Sequence, residues 1–349
     1  MINKELKNII EKEKRVGEFI YPSYEKHCFS NIASTILEFF DIKTRRPTLP
    51  PKIYKNKVEY EDSRKIVLLL IDGYGYNQWL KYHKKCEFFK KLSQKGAVSP
   101  ITTVFPSTTA ATLTTINTGL TPQEHALLEW HVYFKEIDMI INTLPFTPLG
   151  EKGQDRLFEM GVNPAILYNG NTIYQTLKDE SVRSYTFIKA SYAHSCYSKL
   201  VHEGSTITPF ITYSDMFTRL RKIVKEEKGP AYFYVYLDNL DSIGHLYGPH
   251  TTEYFAELSA FSHSIKRELE KNRQERSKAN TSLNNFRSRT SRHLTRRHDL
   301  SKRIPETNTC FEKKQEKKNH SANRKRSRRF LTHKTYQARR NVQLLVRET

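Results

Sequence analysis

Cysteine is scarce in this chain. The 349 residues contain four, at Cys28, Cys86, Cys196 and Cys310, and no two stand in CxxC spacing. That distribution excludes a zinc knuckle and a disulfide framework, and it suits thiols kept reduced in a cytosol. Long apolar runs are missing too. Nothing approaches the roughly 18 consecutive apolar residues of a membrane-crossing helix. The first residues, MINKELKNIIEKEKRVGEF, are charged throughout, without an apolar stretch of signal-peptide length. These absences predict a soluble, cytoplasmic protein with no membrane partner.

Positive charge is what the chain has in excess, a formal +21, which ordinarily points to a polyanionic partner such as nucleic acid. The excess is unevenly placed. Residues 271–349 hold 24 Lys and Arg against 6 Asp and Glu, a balance of +18, while residues 1–270 hold 34 against 31, a balance of +3. A nearly neutral body therefore carries an extremely basic tail, and nucleic acid is expected as a partner only if that tail is genuine.

Along the chain, residues 1–45 place Ile32, Ile36, Leu37 and Phe40 near helical spacing, and RPTLPP at 46–51 ends the region as a rigid linker. Residues 1–50 thus read as an N-terminal helical segment and linker. KIVLLLIDG, from Lys65 to Gly73, is a continuous apolar run closed by Asp-Gly, the pattern of a strand buried on both faces of a parallel sheet. A helix is expected through Trp79 to Leu92, then a second strand from Ala97 to Val104, which FPSTTAATLTTINTGL turns into a helix ending near Gly119. Two more helix-then-strand pairs follow: NTIYQTLKDE with SYTFIKA, and MFTRLRKIVKEE with AYFYVYLDNLD, whose strand spans Ala231 to Leu237. This alternation predicts an α/β fold with a doubly wound, mostly parallel sheet flanked by helices over residues 51–270. Ligands of such sheets bind beyond the carboxyl ends of the strands, where Asp72, the PSTT turn and Asp241 all fall.

Each motif has an ordinary reading and a chemical one. An Asp after a buried strand can be a turn or cap residue, but its carboxylate can also hold a divalent ion. Ser107, Thr108 and Thr109 can cap a helix; the same geometry aims backbone amides and the positive helix end at a phosphate, and a hydroxyl there can become a nucleophile. Asp241 and His245, four residues apart, share one face of a helical turn and can reach one metal, with Gly244 leaving room for close approach.

Together and in this order, these residues resemble the type I phosphodiesterase and nucleotide pyrophosphatase family of the alkaline phosphatase superfamily. The resemblance runs from about Lys65 to Pro249 and is densest in IDGYG, VFPSTTAATLTTINTGLTPQEHALL and NLDSIGHLYGPH. It implies an alkaline phosphatase-like fold and a small phosphoester substrate. It also implies two divalent metal ions, zinc or else manganese or magnesium, about 4 Å apart across an in-line displacement at phosphorus. Carried over residue by residue, Asp72 resembles the first carboxylate ligand, and Asp241 and His245 resemble ligands of the other metal. Laid without gaps, Thr109 falls on the threonine that attacks phosphorus and also ligates metal, with Thr118-Gly119 and Pro122 to His125 in register. His125 then lies in a helix-terminating turn, as a structural residue. Two features depart from the family. Leu128-Glu129-Trp130-His131 stands where nucleotide-cleaving members place an Asn, and Ala126 stands where a glycine is usual. Substrate-facing residues are expected between Trp130 and Ser214, with Tyr133, Lys135 and Tyr168 as candidates.

The resemblance also implies a later Asp-His-Gly motif and a further His, and the chain contains no Asp-His-Gly. After Leu269 the apolar periodicity stops, so the last strands of the sheet are expected to be missing, with a bare sheet edge and poor solubility. Residues 271–349 are then a disordered or out-of-frame tail. A natural basic tail is one reading; a frameshift would also account for the loss, since Leu283 to Thr290, LNNFRSRT, can be written in synonymous codons from which deleting one A yields Leu-Ile-Thr-Ser-Asp-His-Gly. Activity of the chain as it stands is expected to be impaired. The competing reading is a non-enzymatic polyanion-binding protein acting through the tail.

Overall fold

Ile66 to Ile71 and Ala231 to Leu237 are unbroken apolar or aromatic runs, and in the computed structural model they form adjacent central strands. The structure describes residues 3–12, 15–17, 19–53, 65–268, 270–271 and 343–347. These all fall in one compact unit. The chain opens with α1 (Lys4–Glu11), a two-residue pairing of β1 (Arg15–Val16) with β2 (Phe19–Ile20), and α2 (Asn31–Phe39). The expected all-helical start is therefore interrupted by a short antiparallel ribbon.

Next come β3 (Lys65–Ile71), α3 (Tyr76–Tyr82), α4 (Glu87–Lys95), α5 (Thr109–Thr118) and α6 (Pro122–His125). The helix expected through Trp79 to Leu92 is thus two helices. The strand expected from Ala97 to Val104 does not form; that stretch makes only an isolated bridge, Cys28 to Thr102. Its apolar side chains Val98 and Val104 are buried all the same, so burial without a strand partner produced the strand-like pattern.

A small antiparallel sheet of β4 (His131–Phe134), β5 (Met139–Asn142) and β6 (Thr147–Pro148) follows. The chain continues through α7 (Arg156–Glu159), α8 (Ile173–Asp179), β7 (Arg183–Lys189), α9 (Cys196–Val201), β8 (Thr206–Phe210), α10 (Tyr213–Glu226), β9 (Ala231–Leu237), α11 (Asn239–Tyr247) and a helix over 252–268. The last described element is β10 (Gln343–Arg347).

The main sheet runs β10-β3-β9-β7-β8. Pairings β3 with β9, β9 with β7 and β7 with β8 are parallel. Only β10 is antiparallel, lying along β3 in register Leu345 to Leu68. Side chains alternate across the sheet with the two-residue period of a strand. Ile66, Leu68 and Leu70 of β3 join Tyr232, Tyr234 and Tyr236 of β9 in one core with residues of α1, α2, α5, α8 and α9. Val67, Leu69 and Ile71 join Phe233, Val235 and Leu237 in a second core with residues of α3, α4, α10 and 252–268. The result is a three-layer α/β fold around a mostly parallel sheet, as the strand pattern predicts. The segment Leu283 to Thr290 lies outside the described residues, as does the tail apart from 271 and 343–347. Among the described residues, no helix is long and apolar enough to cross a membrane.

Candidate functional site

The site forms where three parallel strands end together. Beyond Ile71 the ladder continues for one more bond, Asp72 N–H to the Leu237 carbonyl at 2.9 Å. This fixes the backbone of Asp72 against the end of β9. Gly73 follows with φ +70°, and a Cβ there would lie 2.6 Å from the Asp241 Cα. Glycine is required on both counts. The close approach assigned to Gly244 is therefore made at Gly73 instead. A Cβ on Gly244 would meet the Tyr254 ring at 3.6 Å, an ordinary contact.

The Asp72 carboxylate is buried. Its Oδ1 accepts from Gly73 N–H at 2.9 Å, and its Oδ2 accepts from the Tyr236 hydroxyl at 2.8 Å and the Thr109 hydroxyl at 3.4 Å. Burial, and then the charge of Asp241, push the Asp72 carboxyl up to about 6, against the lowering effect of the Tyr236 and Gly73 hydrogen bonds. Asp241 packs its backbone against Gly73, close enough for its charge to act on Asp72. A divalent cation between such groups would relieve both the burial and the repulsion.

The two adjacent threonines have different roles. Thr108 is the N-cap of α5: its side chain accepts from Ala111 N–H at 3.2 Å and donates to the Leu128 carbonyl at 2.7 Å. Its hydroxyl is committed to structure. Thr109 is the first helical residue and directs its hydroxyl to Asp72. The helix it begins is buried from Ala110 to Thr118 and stops at Gly119, a left-handed cap.

On α11, Asp241 and His245 stand one turn apart with Nε2 and Oδ2 3.4 Å from each other. The His245 side chain is 63% exposed and that of Asp241 21%. The structure thus brings Asp72 to Thr109, Asp241 to His245, and Asp241 to the Asp72–Gly73 turn. In kind, these hard oxygen and nitrogen donors fit divalent metals. In number they fall short: among the described residues, no group of three or more His, Cys, Asp or Glu could hold a metal ion.

Other expectations meet mixed outcomes. His125 is buried, with Nε2 3.1 Å from the Thr115 hydroxyl and Nδ1 accepting from Leu127 N–H at 3.0 Å. Burial pushes its imidazole down to about 4, so it is a neutral structural residue. Ala126, at the position of the family's glycine, caps α6 in the left-handed region at φ 60°. Tyr168 is buried, its hydroxyl donating to the Leu200 carbonyl at 3.4 Å. Tyr133 is exposed on β4 and donates to Asp138 at 2.6 Å.

Sequence reasoning missed two groups beside Asp72. Tyr236 is one; the other is the ion pair of Lys189 with Asp238 at 2.6 Å, which joins the carboxyl ends of β7 and β9. The alternation AYFYVYL could have flagged Tyr236, since it puts three hydroxyls on one face of a strand that ends at the site.

A family model described as type I phosphodiesterase / nucleotide pyrophosphatase matches residues 66–284, more than half of the chain. No curated protein matches it. Among solved structures, murine ectonucleotide pyrophosphatase/phosphodiesterase 5 is similar at 15% identity and a TM-score of 0.46, over 61% of this chain and 52% of that one. Phosphonoacetate hydrolase from Sinorhizobium meliloti 1021, in complex with phosphonoacetate, is similar at 14% identity and a TM-score of 0.44, over 63% and 56%. The chain spans about half the length of these structures.

Proposed function

Since the chain belongs to the type I phosphodiesterase / nucleotide pyrophosphatase family, we propose that its site is that of a metal-dependent phosphoester hydrolase with Thr109 as nucleophile. The observation that carries this reading is the Thr109 hydroxyl, at the start of a buried helix and 3.4 Å from the buried Asp72 carboxylate. Asp72 with Thr109 would hold one divalent ion, and Asp241 with His245 a second. When bound, such ions polarise the phosphoryl group and favour the ionised form of a coordinated hydroxyl.

The remaining work falls to the chain's own groups. Asp72 Oδ2 orients the Thr109 Oγ so that its lone pair points away from the carboxylate and toward an incoming phosphorus. The Thr109 and Ala110 amides precede the first bonds of α5, which Ala111 and Thr112 make to Thr108, and with the positive helix end they are available to phosphate oxygens. Attack by Oγ, its proton released to solvent, forms the Oγ–P bond as the bond to the leaving oxygen breaks and that oxygen departs as an anion protonated from solvent; water then attacks phosphorus, the Oγ–P bond breaks, and Oγ takes back a proton to restore the Thr109 hydroxyl.

With about two protein donors per ion, metal affinity and nucleophile activation are both low in this chain. Restoring the Asp-His-Gly frame at Leu283 to Thr290 supplies further donors. Turnover of a p-nitrophenyl phosphodiester tests the reading. The restored chain is expected to turn over, to stop on chelation, and to lose activity in Thr109→Ala by at least about 10³-fold. Full activity in restored Thr109→Ala sinks the nucleophile assignment. Normal turnover by the unrestored chain, with two equivalents of bound zinc, sinks the impairment.

A second reading, polyanion binding, is favoured by the charge balance of +18 in residues 271–349. Binding to nucleic acid that weakens steeply with salt and vanishes on deleting 271–349 would support it.

A further inference from the structure

We infer that Tyr236 is a positioning residue for the Asp72 carboxylate, holding Oδ2 in the orientation in which it also meets the Thr109 hydroxyl. The inference rests on the reading above that Asp72 is a metal ligand. Its basis is geometric. Tyr236 is 6% exposed and Asp72 8%, so water has little access to the 2.8 Å bond between them. Gly73 N–H holds the other oxygen at 2.9 Å. With a donor held on each oxygen, the carboxylate plane cannot turn without breaking a buried hydrogen bond.

The phenol suits this task. Toward a carboxylate oxygen a phenol hydroxyl can only donate, and here it does so at 2.8 Å. The ring is set by its neighbours. Tyr192 lies beside it, with centroids 6.5 Å apart. Asp238, which follows β9, is tied to Lys189 at the end of β7 at 2.6 Å. Packing alone does not account for the hydroxyl, because a phenylalanine would fill the same core volume. Tyr232 and Tyr234 share that face of β9 and are fully buried, but they stand further from the carboxyl end of the strand. Tyr234 is therefore the internal control.

The test is Co²⁺ titration of the full-length chain, carried to millimolar metal and followed by visible absorption, with thermal unfolding of each metal-free variant alongside. Tyr236→Phe is expected to weaken Asp72-dependent binding by about 10- to 100-fold and to change the intensity of the cobalt bands. Tyr234→Phe is expected to do neither, while Asp72→Asn abolishes that binding. Metal-free Tyr236→Phe should unfold somewhat earlier than Tyr234→Phe, by no more than the one buried hydrogen bond it loses, and should still unfold in a single transition. Equal weakening by the two tyrosine variants, or unchanged affinity in Tyr236→Phe with loss in Asp72→Asn, overturns the positioning role and leaves Asp72 a ligand. Binding that Asp72→Asn does not alter, or no binding at millimolar metal, overturns the ligand reading and the positioning role with it.

Discussion

Asp72 with Thr109 and Asp241 with His245 occupy the same sheet edge but opposite kinds of setting. Asp72 is 8% exposed, and both its oxygens accept hydrogen bonds from neighbouring groups. His245 is 63% exposed on the outer side of α11. The first pair is preorganised at an electrostatic cost, visible in a carboxyl pushed up to about 6. The second pair is the more open to solvent, His245 above all. The contrast shows that the α11 side of the site is the one open to solvent, while the β3 end is enclosed.

The turn that joins the two pairs gives the largest expected effect. Gly73→Ala introduces a Cβ 2.6 Å from the Asp241 Cα in a left-handed conformation, so the β3 end and α11 must separate. A loss of roughly 2–5 kcal/mol is expected in denaturant unfolding. Gly244→Ala, in mid-helix with ordinary contacts, should change stability by less than about 1 kcal/mol and in the favourable direction. Comparable losses in the two variants would break the assignment of the close approach to Gly73.

Next in size is the charge on Asp72. Its folded pKa, about 6, lies above the usual carboxylate value near 4. Between these values the folded protein binds more protons than the unfolded one, so metal-free stability falls as pH rises through that window and is flat above it. A shift of about two units corresponds to at most about 3 kcal/mol. Asp72→Asn should abolish the fall between about pH 4 and pH 6, measured by chemical denaturation across that range. A fall that persists in Asp72→Asn would place its origin elsewhere.

What could be read in advance follows the same divide between local and tertiary causes. β3 and β9 are continuous apolar runs ending at acids, and their limits needed nothing beyond the pattern. α5 announces its end through Gly119, a left-handed cap. Thr109 could be preferred to Thr108 only by family register; the structure adds that the Thr108 hydroxyl is consumed by capping and by Leu128. The failures are tertiary. Val98 and Val104 bury without a strand partner, and no local pattern distinguishes that from a strand. Gly73 and Gly244 look alike until α11 docks. The edge of β3 was expected bare, and β10 covers it with QLLVR, a pairing across more than 270 residues that no short-range signal could indicate.

Asp241 couples the two settings, so its neutralisation is a smaller and more selective probe. Its charge is the second cause holding the Asp72 carboxyl up, after burial. Asp241→Asn removes that repulsion and leaves the burial, so the folded Asp72 pKa should fall part of the way toward 4. The metal-free protein should gain on the order of 1 kcal/mol above pH 6, with the pH-dependent window narrowed from its upper end. Unchanged pH dependence would mean that burial alone sets the Asp72 carboxyl.

His245 should give the smallest effect on the metal-free fold. At 63% exposure its imidazole buries little apolar area, and its approach to Asp241 at 3.4 Å is screened by water. His245→Ala should therefore alter metal-free stability by no more than about 0.5 kcal/mol. The same substitution removes half of the donors of the α11 pair, so a Co²⁺- or Zn²⁺-dependent rise in the unfolding midpoint should shrink in His245→Ala while the metal-free midpoint stays put. That separation is what distinguishes a ligand from a surface histidine. A variant that loses stability without metal and keeps its metal response would make His245 a helix-stabilising residue and remove it from the site.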